Sequence, residues 1–106
     1  MRFAQGMLID VDSATRRDVI APILAETSGD NDVVAEFCIG LNPNVRYLIR
    51  WMHTDELMYG AVNVTIGDNE GWLGGTNRSN SHWDFFVPHA TVELDGDRIL
   101  DQGRFI

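Results

Sequence analysis

Asp95-Gly96 constrains this chain more than any other feature. The dipeptide lies between the apolar-polar runs "ATVEL" and "DRILDQGRFI" in residues 90–106. An aspartate–glycine pair tolerates the positive φ angles of a two-residue turn between twisted antiparallel strands. The sequence therefore predicts a terminal hairpin. The other apolar runs are short enough to serve as strands. "VVAEFCIG" (33–40) has the β-branched character of a buried strand, broken by one charge, Glu36. "AVNVTIG" (61–67) alternates, and "HWDFFV" (82–87) is a strand by pattern. The opening "RFAQGMLIDV" reads as a strand with Gly6 at a turn or bulge.

Two segments carry helical spacing. Asp12 or Ser13 can cap a helix whose stripe is Val19, Ile20, Ile23 and Leu24, with Pro22 expected to kink or restart it. In residues 41–60, Asn42 suits an N-cap and Pro43 the first helical position. There Val45, Leu48, Ile49 and Met52 run i, i+3, i+4, i+7, and Gly60 can end the helix. "TSGDND" (27–32) and "DNEGWLGGTNRSNS" (68–81) read as loops. The expected fold is α+β, two helices against a mostly antiparallel sheet. Residues 1–106 form a single domain or part of one. Helices covering at most one face of the sheet imply a homodimer or a partner domain.

Charge narrows the function classes. The net charge is −8, and all of the basic residues are arginine. Without a basic cluster the chain is unsuited to nucleic acid or anionic membranes, whose phosphates need concentrated positive charge. No apolar run approaches the ~20 residues of a membrane span. The start lacks the pattern of a signal peptide, and Cys38 is alone, so a cytoplasmic location is expected.

The residues with chemical potential are few. His82 and Asp84 stand two apart on a predicted strand, so their side chains share a face. That spacing lets an imidazole and a carboxylate converge on one divalent cation such as Zn²⁺, Co²⁺, Mn²⁺ or Fe²⁺. Glu36, in an apolar strand, calls for a compensating metal or arginine. The alternative is structural: His82 and Asp84 hydrogen-bond the glycine-rich loop, and Glu36 pairs with Arg46 or Arg50. His53, beside Thr54, Asp55 and Glu56, suits the negative end of a helix first and a ligand second. His89, after Pro88, is expected in an exposed turn. Trp72, alone in a polar loop, is the aromatic residue best placed to touch a partner. Cys38, in an apolar strand, is no nucleophile. Gly74-Gly75 lacks the helix-opening context of a phosphate loop.

The order of "AEFCIGLNP" (35–43), "DELMYGAVNVTIGDN" (55–69), "GGTNRSNSHWD" (74–84) and "ATVELDGDRILDQGRF" (90–105) resembles the C-terminal part of the aminopeptidase T family of metallo-aminopeptidases. The resemblance implies a pair of divalent cations that bind a peptide N-terminus and activate water for amide hydrolysis, with a small peptide or other small molecule as substrate. By the same match Glu36, His82 and Asp84 fall on metal ligands. Two positions depart from the family pattern. Asn63 stands where the family carries a ligand histidine, and a tyrosine is replaced around Glu70. A glutamate that holds both metals, and a whole N-terminal domain, would lie upstream of this sequence. His53 is available as a further histidine. The resemblance thus leaves a metal-dependent aminopeptidase-like protein, incomplete or degenerate. Its alternatives are a non-catalytic dimeric module of the same fold and a single-metal, iron-using dioxygenase-like relative.

Overall fold

The computed structural model describes residues 1–12, 16–71 and 73–106, so Ser13 as a cap and Trp72 as a partner contact lie outside the described residues. The chain is α+β, with strands β1 (Arg2–Ala4), β2 (Met7–Asp10), β3 (Val34–Ile39), β4 (Val62–Gly67), β5 (His82–Val87), β6 (Val92–Leu94), β7 (Asp97–Asp101) and β8 (Arg104–Phe105). Helices α1 (Arg17–Glu26) and α2 (Met52–Asp55) complete it. The sheets are β1-β2, β3-β4-β5 and β6-β7-β8. Two compact units divide the chain: Met1–Glu36 with Thr65–Trp83, and Phe37–Val64 with Asp84–Ile106. No helix among the described residues is long and apolar enough to cross a membrane.

In the first unit the opening segment is a hairpin and not one strand. Gln5 and Gly6 both take positive φ (50° and 79°), the two-residue turn that matches strand twist. β1 and β2 pair antiparallel, and the Val34 amide donates to Gly6 O at 2.7 Å, tying this turn to β3. α1 starts later than Asp12 predicts. Its N-cap is Arg16 at φ 59°, which makes no side-chain cap hydrogen bond. Pro22 does not restart the helix. It sits inside α1, where its missing N–H withdraws one donor from the helical ladder. Ile20 is buried, Ile23 and Leu24 half-buried, and Val19 exposed, so the expected stripe is narrower than its spacing suggests. At the helix end Asn31 Nδ2 donates to Leu24 O at 2.7 Å, satisfying a carbonyl the helix leaves open.

The 68–81 loop is held by asparagine side chains. Asn69 Nδ2 donates to Ala35 O at 3.1 Å and Asn77 Nδ2 to Val34 O at 3.0 Å. The Asn77 amide in turn donates to Asn69 Oδ1 at 2.9 Å. These amides act as surrogate backbone, supplying donors to two successive carbonyls of β3.

The second unit corrects the predicted helix over 41–60. Only the single turn Met52–Asp55 is α-helical. Asn42 builds a local turn in place of an N-cap: its Oδ1 accepts from the Asn44 amide at 3.0 Å. Arg50 takes φ 65°, which no right-handed helix passes through. Asp55, 3 % exposed, accepts the Ile49 amide through Oδ1 at 2.8 Å, so a buried carboxylate replaces helical carbonyls. The stripe gains no packing either, because Leu48 and Ile49 are exposed. Helical spacing without a surface to bury it does not outweigh these local bonds.

The core of this unit is Val62, Ala90 and Leu100, with Ile39, Val64 and Val92 packed against it. The predicted hairpin is present, with Asp95 at φ 52° and Gly96 at φ 92° joining β6 to β7. A second turn of the same type follows: Gln102 and Gly103 (φ 45° and 79°) join β7 to β8. Arg98 clasps the hairpin through Glu93 and Asp101. Its guanidinium is held above the ordinary arginine range, first by the hydrogen bond to Glu93, then by the charges of Asp101 and Glu93.

Candidate functional site

β4 and β5 carry the residues of interest. In the second unit Asn63, on β4, is 1 % exposed, and its Nδ2 donates to Asp84 Oδ1 on β5 at 2.9 Å. An amide buried this deeply must satisfy its donors within the protein, and an ionised carboxylate is the strongest acceptor available. The carboxylate also fixes the amide's orientation, because the reverse placement would set oxygen against oxygen.

In the first unit, the His82 Nδ1 lies 2.7 Å from the carbonyl oxygen of Asp68. A carbonyl only accepts, so Nδ1 carries a proton, and the tautomer with that proton has its lone pair on Nε2. That nitrogen is buried. The bond is the one the structural alternative expects of His82, a hydrogen bond to the long loop. It is also the arrangement by which proteins orient an imidazole that ligates through Nε2.

The remaining expected residues stand as follows in their own units. Glu36 is half-buried in β3 and forms no ion pair among the described residues. The His53 side chain is 62 % exposed. It stands 3.9 Å from Glu56 and meets Trp51 edge-on at 6.0 Å. His89 is exposed at a turn, as expected, with φ 55°.

At Asn63, the position of a ligand histidine under the resemblance, an N–H points at Asp84 and uses a carboxylate oxygen. Among the described residues no three His, Cys, Asp or Glu side chains stand together as a group able to hold an ion.

No family model, curated protein or solved structure matches the chain.

The contact between Asn63 and Asp84 was not foreseen from sequence. Its visible sign in the sequence is an amide flanked by valines in a predicted strand, since a buried asparagine calls for a partner. The partner lies 21 residues away and is set by strand pairing rather than by spacing.

Proposed function

We propose that this chain is a non-catalytic module with an aminopeptidase T-like frame, in which an amide–carboxylate hydrogen bond stands where a metal–ligand contact would be. The Asn63 Nδ2–Asp84 Oδ1 bond of 2.9 Å carries the reading. An amide N–H supplies the positive end of a dipole to Asp84, satisfying the carboxylate without a cation. It cannot polarise a peptide carbonyl or lower the pKa of water as a divalent ion does. Its task on this reading is association. Leu41, Tyr47, Trp51, Leu94 and Ile106 of the second unit are each at least 60 % exposed, and such apolar surface supports a second copy of the chain as the partner.

One observation favours a second reading. The Nδ1–Asp68 bond sets His82 as an Nε2 ligand, which suits a protein that keeps one divalent ion and has lost two-metal hydrolysis. Under this reading Zn²⁺, Co²⁺ or Mn²⁺ binds once per chain. Iron would occupy the same position in a dioxygenase-like relative.

Metal content, solution mass and hydrolysis of an aminoacyl p-nitroanilide, measured on the purified chain, separate these readings. The module reading expects a dimer without stoichiometric ion and without hydrolysis. One ion per chain that His82→Ala removes selects the second reading. Two ions with peptide hydrolysis would overturn both and restore the aminopeptidase.

A further inference from the structure

The eight basic residues of this acidic chain are not treated alike. Arg2 and Arg17 meet Asp10, Arg16 meets Asp18, Arg78 meets Glu70, and Arg98 meets Glu93 and Asp101. Arg46, Arg50 and Arg104 have no carboxylate within ion-pairing distance among the described residues. With 16 acids available, an arginine left without one is out of keeping with the rest of the surface. Two of these three line the same cavity of the second unit, which holds about 620 Å³, and among the described residues no carboxylate side chain lines it.

The cavity is built from stiff parts. Gly60 has φ 73°, and a Cβ there would lie 1.9 Å from Gly103 O, so the two backbones touch. A Cβ on Gly103 would in turn lie 3.0 Å from His89 Cα. His89 and Gln102, both lining residues, hold left-handed φ angles of 55° and 45°. Tyr59, also lining, is braced edge-on against Phe105 with ring centroids 5.2 Å apart.

From these features we infer that the cavity binds a small oxyanion borne on an apolar body. Two guanidinium groups offer the planar donor forks that match a carboxylate or phosphate group. The His89 ring and the Gln102 amide supply further polar groups. Val45, Met58 and the Tyr59 ring supply apolar wall. The volume falls within the ~300–1,000 Å³ typical of small-molecule sites, and a bare inorganic ion would leave most of it empty. This inference is independent of whether the chain binds metal.

Calorimetric titration of the whole chain with phenylacetate, phenyl phosphate and the neutral phenylacetamide tests it. Saturable binding of at least one anion, once per chain, is expected, with phenylacetamide weaker by about tenfold or more. The tighter of the two anions identifies the oxyanion as carboxylate or phosphate. Arg46→Gln and Arg104→Gln should each weaken that anion by about tenfold. Both residues are exposed, so circular dichroism should report an unchanged fold. Arg50→Gln, which removes the same charge outside the lining, should leave affinity unchanged. The inference fails if neither anion saturates or if the amide binds as well as the acids. It fails equally if Arg46→Gln and Arg104→Gln bind like the wild type, or if Arg50→Gln weakens binding as much as they do.

Discussion

Replacing Asn63 by aspartate puts the amide–carboxylate pair under the most informative stress. Asn63 is 1 % exposed and its Nδ2 lies 2.9 Å from Asp84 Oδ1, so Asn63→Asp sets two carboxyl groups at that separation. At an effective dielectric of about 20, unit charges about 3 Å apart repel by roughly 5.5 kcal/mol. At about 1.36 kcal/mol per pKa unit this amounts to about four units. The pair therefore keeps one shared proton in the folded state up to about pH 8, whereas the unfolded chain releases it near about pH 4. Between those limits the folded state binds more protons than the unfolded, so stability falls as pH rises. Relative to wild type, the variant should lose about 1.4 kcal/mol per pH unit and reach a deficit of about 4 kcal/mol near pH 7. Near about pH 4 the protonated carboxyl donates in the amide's place, and the two proteins should be nearly equal. Urea denaturation followed by tryptophan fluorescence across this range measures the difference. A deficit that stays constant with pH, to within about 0.5 kcal/mol, would refute the placement of Asn63 against Asp84.

The remaining predictions concern packing and an exposed histidine. Leu100→Ala, at a position with 0 % exposure in the core of the second unit, should cost about 2–5 kcal/mol in denaturant unfolding. Gly60→Ala places a Cβ 1.9 Å from Gly103 O at φ 73°, and should cost at least about 3 kcal/mol, read as a lowered melting temperature. His53→Ala removes an exposed ring 3.9 Å from Glu56, and should change stability by less than about 0.5 kcal/mol and leave metal content unaltered.

What the sequence made legible was governed by near neighbours. Asp95-Gly96 dictates its own turn, and β3, β4 and β5 follow from β-branched or alternating runs. The Gln102-Gly103 turn obeys the same rule, but glutamine is a weaker cue than aspartate for a left-handed position. The segment 41–60 misled because Val45, Leu48, Ile49 and Met52 keep helical spacing while Asn42 and Asp55 capture nearby amides. Spacing reports which residues would share a face; it does not report whether a surface is present to cover that face. The same limit applied to the candidate site. His82, Asp84 and Asn63 drew attention by residue type. The bonds Asn63–Asp84 and His82–Asp68 depend on pairing across the chain and on the path of the long loop.

The most direct test of the account is the side-chain amide of Asn63 in a ¹H–¹⁵N spectrum of the whole chain, recorded with and without excess Zn²⁺. A donor hydrogen-bonded to Asp84 and shielded from solvent should exchange slowly with water and keep its resonance position when the metal is added. Rapid exchange, or a stoichiometric shift on adding Zn²⁺, would mean that the carboxylate is not committed to the amide, and the proposed module would give way to a metal site.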